Sequence, residues 1–171
     1  MTGDLPAVLR RGTKADLDSL EPLWVGVHHR HAEAMPELAP YVDDPESWAV
    51  RRELYAELLG KDGTVLLLAS VGTALVGYGL AHVMNTGDTW IPDTWRTGSP
   101  IGEIESLAVT PAYRGRGIGA RLLTELERAL RDAGIQDLIL GVLPGNDSAI
   151  RLYERHGYRP TWLYLSKWEG R

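Results

Sequence analysis

Cysteine is absent from the 171-residue sequence. This absence excludes disulfides, thiolate catalysis and cysteine-based metal sites. The sequence also lacks an apolar run of about 20 residues, the length that a membrane-spanning helix requires. Its N-terminal stretch, MTGDLPAVLRRG, lacks the basic start and apolar core of a secretory signal. We therefore expect a cytoplasmic protein with no membrane partner.

Dense blocks of like charge are also missing. The chain has 23 acidic and 18 basic residues and a formal net charge of -5, whereas a nucleic-acid-binding protein usually has clustered lysines and arginines. We therefore expect no nucleic-acid partner. The acidic balance is compatible with a cationic substrate, and equally with solubility alone. Length and composition predict one compact domain over residues 1–171.

Apolar periodicity and turn residues predict the order strand, two helices, three strands, helix, strand, helix, strand. The strands are expected at residues 8–11, 65–69, 75–81, 101–110, 138–142 and 158–165. The helices are expected at residues 13–31, 45–59 and 117–133, with a short one from Asn146 or Asp147 to Gly157. Thr13, with Asp16 three residues later, is a candidate cap of the first helix. Because three strands follow one another in the middle, the fold class is α+β.

The strand at residues 101–110 carries two carboxylates in an otherwise hydrophobic run. Strict alternation places Glu103, Glu105, Leu107 and Val109 on one face, and Ile104, Ser106 and Ala108 on the other. The loop before this strand, residues 85–100, contains Trp90 and Trp95. These tryptophans predict a folded-over lid or a partner contact, or else they cap one end of the core.

Three glycines and two arginines lie between this strand and the helix that follows it. The segment from Val109 to Ala120 has the sequence VTPAYRGRGIGA. A helix N-terminus has unpaired N–H groups and the positive end of the helix dipole, and glycines let an anion approach the backbone closely. The segment therefore predicts an anion site, although a tight turn with exposed arginines has the same composition.

Two common phosphate-binding motifs do not fit this segment. Gly115 to Ala120 matches G-x-G-x-x-A, but four residues separate it from the strand, whereas the dinucleotide motif turns at once. The acidic residue near the expected distance, Asp137, precedes its strand instead of ending it. The Gly-Lys-Ser or Gly-Lys-Thr of a P-loop is absent.

Arg114 to Gly119, after a strand that ends in LAVTP, resembles the R/Q-x-x-G-x-G/A motif of the GNAT family of N-acetyltransferases. Asn146 to Tyr158 resembles that family's second cofactor segment, N-x-x-A-x-x-L-Y-x-x-x-G-F/Y. The motifs occur in the family's order and cover residues 101–158. The resemblance implies a GNAT-like α+β fold, with a mixed, mostly antiparallel central sheet flanked by helices and a splayed V between the two strands that receive acyl-CoA. It also implies that residues 1–171 are a single N-acetyltransferase domain.

The resemblance implies acetyl-CoA, or another acyl-CoA, as the acyl donor. In the family the glycine loop binds the pyrophosphate, and the preceding strand runs beside the pantetheine arm. Carried over by position, the cofactor-binding residues are Leu107, Ala108, Val109, Arg114, Gly115, Arg116, Gly117, Ile118, Gly119, Ala120 and Asn146. Asn146 is equally suited to cap the last helix, and the two roles are compatible.

Tyr153 and Glu103 are the expected catalytic residues. Tyr153 matches the family tyrosine that is proposed to protonate the leaving thiolate; otherwise it is an aromatic packing residue. The acceptor amine must lose a proton before it attacks, and Glu103 matches a glutamate of histone-type members, so we expect it to be the base. Glu105 is expected to contact the substrate or relay the proton. The alternative is that one or both glutamates lie at a strand edge in solvent.

Three histidines near the end of the first helix suggest a metal site at first sight. Only His28 and His31, and not His29, share a helical face, and no neighbouring aspartate completes a site. The family uses no metal, so we expect a polar helix end or a substrate wall.

Gly141 stands where some relatives that act on protein N-termini carry glutamate, which favours a small-molecule amine over a protein amine.

The expected reaction is direct attack of a primary amine on acetyl-CoA in a ternary complex, with no covalent enzyme intermediate. The alternative from another functional class is a non-catalytic acyl-CoA-binding or sensing protein. Because an edge strand often pairs two subunits in the family, a homodimer is compatible with the resemblance.

Overall fold

A five-stranded mixed sheet forms the centre of the protein. The structure is a computed structural model and describes residues 6–169. The strands are β1 (Val8–Arg11), β2 (Val65–Val71), β3 (Ala74–Met84), β4 (Ile101–Val109) and β5 (Leu138–Leu140). They lie in chain order across the sheet. β4 and β5 are parallel, whereas the other neighbouring pairs are antiparallel, so the predicted mixed, mostly antiparallel sheet is confirmed.

Helices cover both faces of this sheet. They are α1 (Glu21–Ala34), α2 (Asp44–Leu58), the one-turn α3 (Ile91–Thr94), α4 (Ile118–Asp132) and α5 (Asp147–Arg155). A 3₁₀-helix, Lys14–Leu20, precedes α1, so the first predicted helix is two elements. Thr13 caps it as expected, because its hydroxyl accepts from the N–H of Ala15 and the Asp16 carboxylate accepts from the N–H of Thr13. In the described part of the chain, none of the helices combines the length and the apolar character needed to cross a membrane.

Each face of the sheet has its own hydrophobic core. On one face α4 buries four leucines completely: Leu122, Leu123, Leu126 and Leu130. Full burial of a leucine contributes roughly 1.5–3 kcal/mol, and these residues are the apolar stripe that predicted the helix. On the other face, α1 and α2 pack around the fully buried Tyr55. The sheet therefore separates a face covered by α4 from a face covered by α1 and α2.

β4 departs from strict alternation at Glu105. Ser106 and Ile104 pair with consecutive residues of β3, so Glu105 between them is an extra residue, a β-bulge. Leu107 and Val109 consequently pack with Ile104 in the core under α4. The prediction that they share a face with the glutamates is therefore wrong, because it assumed an unbroken period of two.

β4 and β5 separate soon after β4 begins. β5 pairs with Gly102–Ile104, so the rest of β4, Glu105–Val109, has no neighbouring strand on that side among residues 6–169. This divergence is the splayed V that the family resemblance implies. It leaves main-chain N–H and C=O groups of β4 available to a ligand.

The predicted last strand, residues 158–165, does not form. The segment has no regular secondary structure, and most of its large side chains are exposed. Its residue types favour a strand, but no described strand pairs with it.

The loop at residues 85–100 does fold over, because Trp90 stacks on Trp162 with ring centroids 4.3 Å apart and Trp95 lies edge-on to Trp90 at 5.3 Å.

Gly145, in the turn before α5, touches the end of α1. A Cβ on Gly145 would lie 2.1 Å from the carbonyl oxygen of Ala34. We expect Gly145→Ala to lower the free energy of unfolding, measured by urea titration, by about 1–3 kcal/mol, the usual cost of overpacking. Gly141→Ala is the control, because a Cβ there meets no atom within 4 Å. Equal stability of the two variants would contradict this contact.

Candidate functional site

An open groove of about 470 Å³ lies beside the unpaired edge of β4. α1 forms one wall and α5 the opposite wall, with the end of β4 and the glycine loop between them. All but one of the residues predicted to bind the cofactor line it: Leu107, Ala108, Val109, Arg114, Gly115, Gly117, Ile118, Gly119, Ala120 and Asn146. The exception is Arg116, whose guanidinium lies 5.0 Å from the centre of the Tyr113 ring and borders a smaller neighbouring pocket.

Two left-handed backbone positions shape the glycine loop. Gly115 and Gly117 have φ values of 74° and 77°, which favour glycine because a side chain is strained there. Gly117 is the N-cap residue of α4, so the first N–H groups of this helix lie at the groove without a side-chain cap. Arg114 Nε donates to the carbonyl of Val109 at 3.0 Å and fastens the loop to the end of β4. The N-terminus of α4 is therefore suited to an anion.

Among the described residues, the charged side chains that line the groove are all basic. They are Arg30, His31, Arg114 and Arg155. Burial, with the nearby Arg51 and His28, holds the pKa of His31 below its ordinary value, so the positive charge comes from the three arginines. Together with the dipole of α4 they favour an anionic ligand.

Tyr153 lies on α5 and lines the groove. Burial raises the pKa of its hydroxyl above the ordinary value, so the group remains protonated at neutral pH. α5 has no fully buried side chain. Leu152 and Tyr153 pack against the core under α4, and His156 Nδ1 lies 3.5 Å from the buried carboxylate of Glu127 on α4. These contacts hold α5, and with it Tyr153, against the groove.

Three titratable side chains meet where β3 and β4 lie side by side. His82 of β3 is directly opposite Glu103 of β4, and the bulge brings Glu105 to the same side. His82 Nε2 lies 3.2 Å from Glu103 Oε2 and 3.7 Å from Glu105 Oε2. Hydrogen bonds to Glu103 and Glu105 outweigh burial and raise the pKa of His82 to about 9. At neutral pH the ring is a cation between two carboxylates.

Arg51 of α2 forms an ion pair with Glu105. Its guanidinium also lies 4.0 Å from the centre of the Trp24 ring, which is a cation–π contact. Burial favours a higher pKa for Glu105, but His82 and Arg51 bring that pKa below its ordinary value. The Glu105 side chain is 18% exposed and the Glu103 side chain 27%. Glu103 is therefore the carboxylate more open to a substrate.

Sequence reasoning missed His82 and Arg51 as parts of this site. No partner of His82 is visible in the sequence, and Arg51 is one of several charged residues on α2. The pairing of β3 with β4 and the packing of α2 on the sheet bring both cations to the glutamates. The one available signal is that a histidine within an apolar strand needs a polar neighbour.

The three histidines of α1 do not form one cluster. His28 Nδ1 and His29 Nε2 lie 3.0 and 2.9 Å from carboxylate oxygens of Asp44 on α2. Asp44 therefore reaches both rings from the next helix, but these three residues are not among the ligand groups of residues 6–169 that lie close enough to share a metal ion. His31 lies instead at the groove, with its ring edge-on to Trp24 at a centroid distance of 6.1 Å.

Within residues 6–169, one group of side chains is close enough to share a metal ion. It consists of His82, Glu103 and Glu105, whose ligand atoms lie within 4.8 Å of one another. Both carboxylates already have a cationic partner, His82 for Glu103, and His82 with Arg51 for Glu105. The arrangement is an ion-pair network, and the absence of a metal stays a prediction.

The raised pKa of His82 predicts that the stability of the fold depends on pH. Because its pKa is about 9 in the folded state and about 6.5 in the unfolded chain, protonation of His82 stabilises the fold fully below pH 6.5, and this contribution is lost as pH rises through 9. We expect His82→Gln to cost on the order of 3 kcal/mol at about pH 6 and much less at about pH 10, measured by thermal unfolding. His29→Gln is the control, since His29 is 61% exposed and its ion pair with Asp44 therefore contributes little to stability. A loss that does not change with pH would contradict the network.

Comparison with known proteins places these features in a family. The model of the acetyltransferase (GNAT) family matches residues 24–158. Thialysine N-epsilon-acetyltransferase of Sus scrofa is 36% identical over 88 residues, which cover 52% of this chain and 46% of that protein. Mycothiol acetyltransferase of Propionibacterium freudenreichii is 29% identical over 148 residues, which cover 84% of this chain and 40% of that protein. The chain therefore spans about half or less of the length of these curated relatives.

Solved structures share the fold. An aminoglycoside N-acetyltransferase in complex with CoA has a TM-score of 0.68 and 17% identity, over 100% of this chain and 99% of that chain. This likeness shows the architecture, a mixed sheet flanked by helices. Since the family model spans β4, the glycine loop and α5, the chain belongs to the GNAT family of acetyltransferases.

Proposed function

We propose that this chain is an N-acetyltransferase that transfers acetyl from acetyl-CoA to a primary amine. The observation that carries the proposal is the groove, because it joins a basic anion site to the unpaired edge of β4, the strand that also bears Glu103. Family membership supports acetyl transfer, and the CoA in the aminoglycoside enzyme supports the choice of donor.

Acetyl-CoA carries the two features that the groove is suited to bind, a negative charge and backbone-like amides. Its pyrophosphate would lie at the N-terminus of α4, near the N–H groups that follow Gly117 and near Arg114. The amides of its pantetheine arm would take the place of the missing strand beside Leu107–Val109. In this orientation the thioester end of the donor lies toward the wall that carries Tyr153.

Glu103 is proposed as the general base and Tyr153 as the general acid. The amine gives a proton to Glu103, directly or through water, and its nitrogen bonds to the carbonyl carbon of the thioester. The C–S bond breaks, and the thiolate takes the hydroxyl proton of Tyr153. The proton that remains in excess on the nitrogen passes to the Tyr153 phenolate, directly or through water, and Glu103 releases its proton to solvent. His82 lies beside Glu103 as a hydrogen-bonding cation, and Glu105 is proposed as a second contact for the cationic acceptor. Direct attack of this kind needs no covalent enzyme intermediate.

The acceptor is proposed to be a small-molecule amine. The relatives are named for thialysine, mycothiol and aminoglycosides, which are small molecules, and Gly141 favours the same class. We further expect residues 1–171 to be a single N-acetyltransferase domain and the enzyme to be cytoplasmic, and a homodimer is compatible with the family resemblance.

A donor and acceptor screen tests the function. The full chain is incubated with acetyl-CoA and a panel of amines, amino acids, aminoglycosides and peptides, and free thiol is measured. We expect thiol release with at least one small amine, and a Tm raised by about 5–10 °C when acetyl-CoA is present at about a hundred times its Kd. Stabilisation without thiol release would favour a non-catalytic acyl-CoA-binding protein. No stabilisation would overturn the donor assignment.

Two conservative substitutions test the base and the acid. Glu103→Gln and Tyr153→Phe should each lower kcat by about 10²–10⁴-fold, because each removes one proton transfer, with little change in KM for acetyl-CoA. Glu125→Gln is the matched control, since Glu125 pairs with Arg128 on the exposed face of α4. Unchanged kcat in both variants would show that the mechanism is wrong.

A further inference from the structure

Arg51 of α2 is held between two aromatic rings beside the candidate active site. Its guanidinium lies 4.0 Å from the centre of the Trp24 ring and 5.6 Å from the centre of the Tyr55 ring. Both rings are buried, and Trp24 Nε1 donates to Ser47 Oγ at 2.9 Å. Because a guanidinium is attracted to the faces of such rings, Arg51 is fixed in the orientation in which it pairs with Glu105.

The Tyr55 side chain also holds the strand that carries Glu105. Tyr55 Oη donates to Ser106 Oγ at 2.5 Å and lies 2.9 Å from Tyr78 Oη. Ser106 follows Glu105 directly at the bulge of β4. Burial raises the pKa of Tyr55, so its hydroxyl adds no charge at neutral pH. Buried contacts therefore set the positions of both partners in the Arg51–Glu105 ion pair.

The charges of this ion-pair network balance. Glu103 and Glu105 contribute two negative charges, and Arg51 contributes one positive charge. His82 contributes the second positive charge, because hydrogen bonds to the two glutamates raise its pKa to about 9. The contacts that connect the four side chains are ion pairs of half-buried groups. At neutral pH the network therefore has two charges of each sign and no net charge.

We propose, on the basis of the proposed function, that Arg51 is a specificity-determining residue that restricts the acceptor to amines with a single positive charge. The ammonium of the acceptor would meet Glu103, the more open carboxylate, and Glu105 beside it. Since Arg51 already balances the charge of Glu105, a second ammonium close to the first would find no unbalanced carboxylate. It would instead be repelled by Arg51 and His82.

The helix next to Arg51 supplies no compensating negative charge at the groove. His31 of α1 lies edge-on to Trp24 and lines the groove. Burial, with the nearby Arg51 and His28, holds its pKa below the ordinary value, so the ring is neutral. Arg30 of α1 lines the same groove. A dicationic acceptor would therefore meet positive charge on this side as well, and repulsion of a competitor is a common source of specificity.

Two amines that differ by one ammonium test the role of Arg51. n-Butylamine has one positive charge and 1,4-diaminobutane has two, which the short chain keeps within the Debye length of about 8 Å. Thiol release from acetyl-CoA gives kcat/KM for each amine. We expect the wild-type enzyme to favour n-butylamine. Arg51→Gln should shift the ratio of the two kcat/KM values toward the diamine by about tenfold, because it leaves Glu105 unbalanced.

Three further variants separate charge from space and from stability. Arg51→Lys keeps the charge and should keep the wild-type ratio, whereas His82→Gln removes the other cation and should shift the ratio in the same direction as Arg51→Gln. Arg52→Gln is the matched control on α2, since Arg52 is 45% exposed and pairs with Asp18, and should leave the ratio unchanged. A ratio of two acceptors measured on one variant does not depend on the fraction of folded protein.

Three results would overturn the inference. They are a wild-type enzyme that favours the diamine by about tenfold or more, an unchanged ratio in Arg51→Gln, and an equal shift in Arg51→Lys and Arg51→Gln, which would show that space and not charge decides.

Binding measurements distinguish this inference from the proposed reaction. NMR titration of the two amines into protein saturated with CoA gives the ratio of their Kd values without turnover. A shift of this ratio in Arg51→Gln would support the role of Arg51 even where no thiol is released, which would count against the reaction alone. Thiol release with unchanged ratios would support the reaction and overturn the role of Arg51.

Discussion

The divergence of β4 from β5 after Ile104 is the constraint on which the site depends. In a continuous sheet the backbone groups of residues 105–109 would be paired with a neighbour, whereas here they border a groove. The far end of that groove is the uncapped N-terminus of α4. A ligand that completes the groove must replace a strand neighbour and also carry negative charge. The pantetheine arm and the pyrophosphate of an acyl-CoA have these two properties in one molecule.

The bulge at Glu105 determines which side chains face which layer. It returns Leu107 and Val109 to the core under α4 and leaves the carboxylates on the side of His82. His82 and Arg51 place two positive charges beside the carboxylates of Glu103 and Glu105. A nearby cation favours the ionised form of a half-buried carboxylate, and His82 and Arg51 accordingly lower the pKa of Glu105 although burial opposes them.

Features with a strong local pattern could be predicted from the sequence, and features that depend on distant contacts could not. The stripe of α4, the Thr13 cap and the loop of Gly115 and Gly117 each follow from a few adjacent residues. The bulge has no local signal, because unbroken alternation is the default interpretation of any strand. Arg51 lies 54 residues from Glu105, so only the packed fold joins them. The segment at 158–165 has the propensity of a strand, but among residues 6–169 no strand pairs with it.

The two ends of β4 favour proposed substrates of opposite charge. The groove at its C-terminal end is lined by arginines, which attract the anionic donor and repel a protonated amine. Glu103, nearer the N-terminal end of β4, is the more open of two carboxylates and therefore suits the cationic acceptor. Charge alone would thus direct the donor and the acceptor to β4 from different sides. Direct attack in a ternary complex requires this separation, because both substrates must be bound at once and neither can occupy the other's path.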